Sequence, residues 1–199
     1  MGNTELFNQM AEKYDSLERS AVSQIITAQI KAELGELPTG LTLIDYGCGT
    51  GEVGLEFVAD FETVYFADTA ANMLTVVERK LALASVTNSQ TVQIQEGQDL
   101  GIKADVIVLV QVMLHVSDTQ ALLESLYRSL KPNGQLIIID FDKNPLVTSD
   151  LVHNGIEETA LSQLLSEIGF NVPARQIFYT ADSLFMKEKA SLFSLVCQK

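Results

Sequence analysis

Apolar side chains recur every three or four residues at Leu6, Phe7, Met10, Tyr14 and Leu17, and again at Val22, Ile25, Ile26, Ile30 and Leu34. That period belongs to helices with one buried face. Gly35 and Pro38 end the pattern, so two helices precede the first strand. From Leu41 the chain changes to a short apolar run, Leu41-Thr42-Leu43-Ile44-Asp45-Tyr46, which breaks into Gly47, Gly49 and Gly51. The helical spacing of Val53, Phe57, Val58 and Phe61 then predicts strand, tight turn and helix in succession. Residues 63–67 read as a second strand ending at Asp68, and Met73, Val76, Val77, Lys80, Leu81 and Ala84 as a helix with Thr69 as its N-cap.

Residues 90–95 alternate as a third strand, and Glu96-Gly97-Gln98-Asp99 reads as the turn after it. Residues 105–110 are nearly all apolar, as expected of a central strand covered on both faces. Ser117 and Gln120 have the spacing of a capping box ahead of the helix marked by Leu122, Leu123, Leu126, Tyr127 and Leu130. Lys131-Pro132-Asn133-Gly134 stops that helix and leads into a fifth strand over residues 135–141. Ile156, Ala160, Leu161, Leu164, Leu165 and Ile168 mark another helix, with Gly169 at its C-terminal stop. Residues 174–180 and 190–197 read as two strands whose link is too short for a helical crossover, hence an antiparallel pair. Strand and helix alternate and a hairpin follows, which predicts a three-layer, doubly wound α/β sheet, mostly parallel, seven-stranded, with an antiparallel C-terminal edge.

The length of 199 residues, 47% of them hydrophobic, is enough for one domain with a sizeable core. A net charge of −13 makes nucleic acid and anionic membrane poor partners, because both are held mainly by Lys and Arg. The longest apolar stretch, residues 104–116, is shorter than the roughly 20 residues a bilayer span needs, and no signal peptide is visible at the start. Two cysteines without metal-ligand spacing point to a reducing cytoplasm and no resident metal.

The glycine turn carries the candidate chemistry. Glycine reaches positive φ freely and leaves room for a ligand against the backbone, and a following helix would present free N–H groups. Read as Gly49-Thr50-Gly51-Glu52-Val53-Gly54, it matches a dinucleotide fingerprint, with Asp68 about 20 residues on as a ribose acid. Read from Gly47, it is a carboxylate, Asp45, followed by glycines at 47, 49 and 51.

In that second reading, Leu43-Ile44-Asp45-Tyr46-Gly47-Cys48-Gly49-Thr50-Gly51 resembles the first signature of the class I S-adenosylmethionine-dependent methyltransferases. Phe66-Ala67-Asp68-Thr69-Ala70-Ala71-Asn72-Met73-Leu74 is similar to the family's second signature, and Leu130-Lys131-Pro132-Asn133-Gly134-Gln135-Leu136 to the turn into strand five. Phe7-Asn8-Gln9-Met10-Ala11-Glu12-Lys13-Tyr14-Asp15 resembles the N-terminal helix of small-molecule members, and Met113-Leu114-His115-Val116-Ser117-Asp118 the segment after strand four. The resemblance implies one domain over residues 1–199, with a helical cap (1–38) on a Rossmann-like core (39–199). It implies S-adenosylmethionine as cofactor, S-adenosylhomocysteine as product, and a small-molecule methyl acceptor. It implies cofactor contacts at Asp45, Gly47, Cys48, Gly49, Gly51, Asp68, Thr69, Met73, Gln98, Asp99 and Gln111. Asp68 would accept from the ribose hydroxyls, Asp45 would attract the ammonium group, the Gln98-Asp99 turn would meet the adenine, and Gln111 would lie under the methionine moiety.

Methyl transfer from a sulfonium needs alignment and exclusion of water more than a catalytic side chain, so no catalytic residue is assigned. Tyr14, His115 and His153 are the acceptor-side candidates. Two other readings remain open on sequence: a binding module that keeps the cofactor without catalysis, and an NAD(P)-dependent oxidoreductase, for which Tyr127 and Lys131 have a suggestive spacing. The chain is expected to act as a monomer or weak homodimer.

Overall fold

Along the central strands, successive apolar side chains go to opposite faces of one sheet. Leu43, Val106, Val108, Ile137 and Ile139 join one core cluster, and Ile44, Ile107, Leu109, Leu136 and Ile138 the other. The period of two is what a sheet covered on both sides requires. The computed structural model describes residues 3–95, 98–148 and 152–199.

Helix α1 (Asn3–Met10) runs through a 3-10 turn, Ala11–Lys13, to α2 (Leu17–Leu34). The Ser16 hydroxyl caps α2 by accepting from the Arg19 N–H. Then follow β1 (Thr42–Tyr46), β2 (Thr63–Asp68), α3 (Ala71–Leu83), β3 (Ser89–Gln93), β4 (Ala104–Val110), α4 (Thr119–Ser129), β5 (Leu130–Phe141), α5 (Glu158–Ile168), β6 (Gln176–Phe185) and β7 (Glu188–Gln198). The seven strands lie in the order β3-β2-β1-β4-β5-β7-β6; β7 pairs antiparallel with both β5 and β6, and the other pairs are parallel. Ile26 and Ile30 of α2, with Val77 and Leu81 of α3, cover one face, while α4 and α5 cover the other through Leu122, Leu126, Leu161 and Leu165. The expected doubly wound sheet with its antiparallel edge is therefore present. Among the described residues no helix is long and apolar enough to cross a membrane.

Four local expectations need correction. The segment after the glycine turn forms only a 3-10 turn, Gly54–Phe57. Gly51 and Gly54 both disfavour an α-helix there, and Val53, Phe57 and Phe61 are drawn into the core beneath the sheet. Thr69 is not the cap of α3. Ala70 holds that position without a side-chain bond, and the helix end is satisfied by Asp68 Oδ1 accepting from Ala70 N at 2.8 Å and Asn8 Oδ1 from Asn72 N at 2.9 Å. The cap of α4 is Asp118, which accepts from Ala121 N at 2.9 Å, one residue beyond the expected Ser117, and the Gln120 side chain donates to Glu124. Strand β5 reaches back to Leu130: Ala104 pairs with Leu130 and Val106 with Gln135, so the Lys131–Gly134 turn is a bulge within the strand. Of the expected turn after β3, Glu96 and Gly97 lie outside the described residues.

Candidate functional site

From β1 the chain steps outward to β2 and β3, then crosses back to β4 on the other side of β1. Ligands of such sheets settle outside the carboxyl ends of the strands at this reversal. A cleft of about 160 Å³ opens there, lined by the glycine turn after β1, by Asp68 and Thr69 after β2, and by Gln111, Val112, His115 and Val116 after β4. Gly47 has φ of 70° and lies so close to the β4 side that a Cβ would sit 2.3 Å from Val112 Cγ2. Only glycine meets both demands. Gln111 holds a left-handed φ of 53° without being glycine, with its N–H donating to Ile139 O at 2.7 Å. That strain is the kind found at ligand-binding turns.

Buried carboxylates shape the floor. Asp45, 2% exposed, accepts from Gly54 N at 3.0 Å, and burial pushes its carboxyl up to about 7. Asp68 ties the loops together: Oδ2 accepts from Gly49 N and Oδ1 from Ala70 N, both at 2.8 Å. Burial raises its carboxyl too, against the opposing pull of those backbone bonds. The Thr69 N–H adds a third, weaker pull, and the acceptor capacity that remains on the carboxylate is available to ligand hydroxyls. Cys48 stays protonated, because burial and the neighbouring Asp45 and Asp68 push its thiol well up. It offers size and backbone rather than a nucleophile.

The N-terminal segment closes the cleft from outside. Phe7 and Tyr14 line it, Phe7 standing edge-on to His115 with ring centroids 5.0 Å apart. The Arg19 guanidinium stacks 4.0 Å from the Tyr14 ring centroid. Burial, with His153 and Arg19 nearby, lowers His115 to about 4, and burial raises Tyr14. At neutral pH the imidazole and the phenol are therefore both uncharged. Polar pairs dock the segment on α3 and the glycine loop: Thr4 with Thr69, Glu12 with Arg79, and Asp15 with both Lys80 and Thr50.

Of the residues singled out from sequence, Asp45, Gly47, Cys48, Gly49, Asp68, Thr69, Met73, Gln111, Tyr14 and His115 all line this cleft. Gly51, Gln98, Asp99 and His153 do not. Gly51 backs onto the core, where a Cβ would lie 3.1 Å from Val77 Cγ2. The Gln98 segment is drawn onto α4: Ser125 Oγ donates to Gln98 O at 2.7 Å, and Asp99 caps Gly101 N while facing Arg128 at 3.9 Å. His153 supports the turn that carries His115, its N–H donating to Leu114 O and its Nε2 2.9 Å from Val116 O. The sequence reading missed Thr4, Ser23, Glu52, Ile94 and Val112 in the lining, as well as Asp140 behind it. Asp140 is fully buried and accepts from Met113 N at 3.1 Å and Phe141 N at 2.8 Å, fixing the turn that follows β4. An acid directly after the apolar run Leu136-Ile137-Ile138-Ile139 is its signal. Among the described residues no cluster of His, Cys, Asp and Glu could hold a metal ion.

A glycine-walled cleft with an acceptor-only group at the end of β2, under an aromatic cover, fits a nucleoside joined to a polar tail. The strand order with its antiparallel β7 and the acid at the end of β2 are those expected of a class I S-adenosylmethionine-dependent methyltransferase. The chain belongs to the methyltransferase domain family, whose model matches residues 18–184. It is 26% identical over 190 residues to the ubiquinone/menaquinone biosynthesis C-methyltransferase UbiE of Vibrio parahaemolyticus, covering 92% of this chain and 73% of that protein. Against other curated relatives it spans less than two thirds of their length, for example 58% of the Shewanella baltica UbiE and 59% of the Symbiobacterium thermophilum demethylmenaquinone methyltransferase. Its fold is that of a SAM-dependent methyltransferase from Aquifex aeolicus, with a TM-score of 0.73 at 18% identity over 96% of this chain and 97% of that one. Magnesium protoporphyrin IX methyltransferase from Synechocystis, solved with bound SAH, also has a TM-score of 0.73, at 16% identity over 100% and 95% of the two chains.

Proposed function

We propose that this chain transfers the methyl group of S-adenosylmethionine to a small-molecule acceptor held between the cofactor and the N-terminal segment. The observation that carries the reading is the single cleft in which the glycine turn, Asp68 and the aromatic cover of Phe7, Tyr14 and His115 meet. Asp68 accepts from the ribose hydroxyls with its remaining lone pairs. The backbone of Gly47 and Gly49 lies along the sugar and the amino-acid part, Thr69, Met73 and Ile94 border the base, and Gln111 lies beneath the methionine moiety. When bound, the cofactor supplies an activated methyl group.

The chain's own contribution is positioning and the exclusion of water. Neutral His115 and protonated Tyr14 suit that role, since neither brings a charge that would hold water at the acceptor face. Within the helical cap expected over 1–38, the segment before α2 covers the cleft while α2 packs on the sheet through Ile26 and Ile30, and the free thiols of Cys48 and Cys197 are in keeping with a reducing cytoplasm. The test is incubation with methyl-labelled cofactor and a metabolite extract. Label is expected in a low-mass product, and its absence across extracts of varied origin would count against methyl transfer.

A further inference from the structure

Glu52 is the first residue beyond the glycine turn, and it borders two hollows at once, the cleft described above and a second one between α2 and the outer flank of that turn. It is held from α2. The Ser20 hydroxyl donates to Oε1 at 2.5 Å and the Ser23 hydroxyl to Oε2 at 3.1 Å. Residues three apart on a helix share a face, so both hydroxyls reach the one carboxylate. They orient it without cancelling its charge, and among the described residues no Lys, Arg or His forms an ion pair with it.

The three carboxylates lining the cleft are not equivalent. Asp45 is almost wholly buried and committed to Gly54 N. Asp68 holds two backbone N–H groups on the β2–α3 side. Glu52 stands on the α2 side, held only by hydroxyls. We infer that Glu52, steadied by Ser20 and Ser23, binds the α-ammonium group of the cofactor's amino-acid part. This rests on the S-adenosylmethionine reading above. A tail that runs from a ribose at Asp68 across the glycine turn would meet Glu52; Lys31 and Lys80 border the outer hollow with it but pair with Glu56 and Asp15, so the Glu52 carboxylate is left to complement an ammonium group by charge and by hydrogen bonding. Glu52 is thus a cofactor-binding residue, and Ser20 and Ser23 are positioning residues that fix its rotamer. The ammonium role expected of Asp45 passes to Glu52, and Asp45 is left to hold the loop.

Two probes separate this role from a merely structural one: S-adenosylhomocysteine, which carries the amino-acid tail, and 5′-methylthioadenosine, which lacks it. Binding of each to wild type, to Glu52→Gln and to the Ser20→Ala/Ser23→Ala pair is measured by calorimetry. Glu52→Gln is expected to weaken S-adenosylhomocysteine about tenfold or more, the worth of one hydrogen bond to a charged group, and to leave methylthioadenosine unchanged. The serine pair is expected to show a smaller loss with the same selectivity, and it carries the test if Glu52→Gln folds poorly. Equal losses for both probes, or no loss for either, would overturn the assignment. Failure of wild type to bind S-adenosylhomocysteine would instead overturn the cofactor reading on which it stands.

Discussion

Replacing Gly47 by alanine tests whether the turn after β1 and the turn after β4 are built against each other. The new side chain would have to adopt a φ of 70°, which costs an L-residue about 1–2 kcal/mol. Its Cβ would also lie 2.3 Å from Val112 Cγ2 and 3.2 Å from Cγ1, so Val112 must move, at about 1–3 kcal/mol for overpacking of this kind. The sum is roughly 2–5 kcal/mol, or on the order of 5–15 °C in melting temperature for a chain of this size. Only the second part is removable. Val112→Ala deletes both γ-carbons, so in the double variant the clash disappears while the φ penalty stays. Chemical denaturation of wild type, the two single variants and the double variant gives the coupling energy directly. We expect the double variant to be more stable than the sum of the singles by about 1–3 kcal/mol. Strict additivity would show that the contact between the two turns is not tight, and the account of the cleft wall would fail with it.

Asp68→Ala should weaken S-adenosylhomocysteine binding at least tenfold by calorimetry. It should also lower stability by about 1–3 kcal/mol for each backbone N–H it orphans, at Gly49 and Ala70, so a variant with unchanged affinity and unchanged melting temperature would refute both roles. Burial pushes Asp45 and Asp140 up to about 7, so the native state keeps protons that the unfolded chain gives up near 3.8. Unfolding then releases protons between about pH 4 and 7, and the stability these groups contribute is lost as pH rises through that window. Asp140→Asn should flatten that pH dependence of the melting temperature, and an identical slope in both proteins would show that Asp140 is not titrating there.

The fold was readable wherever a period repeats over many residues. Leu43 to Tyr46 and Val106 to Val110 must be strands because their apolar side chains serve two faces, and that pattern is local. The cleft was readable where it is built from a strand end and the loop just after it, as at Asp45, Gly47, Asp68 and Gln111. It was not readable where partners come from far along the chain. Glu52 looks like an ordinary residue after a turn until Ser20 and Ser23 arrive from another element. The cap of α3 passed from Thr69 to Asp68 and Asn8 because the N-terminal helix docks there, which no window around Thr69 contains. Gln98 and Asp99 are expected at the adenine from their match to the family's turn after strand three, whereas Ser125 and Arg128 on α4 decide where that segment lies. The helix expected after the glycines failed for a local reason: Gly51 and Gly54 weaken it while Phe57 and Phe61 have a better place in the core.

The measurement closest to the central claim is a calorimetric titration of the intact chain with S-adenosylhomocysteine and, separately, with NADH. One equivalent of S-adenosylhomocysteine should bind saturably, and at a hundredfold excess over the dissociation constant it should stabilise the fold by about 2.7 kcal/mol, while NADH should do neither. Saturation by NADH with no heat from S-adenosylhomocysteine would contradict the account.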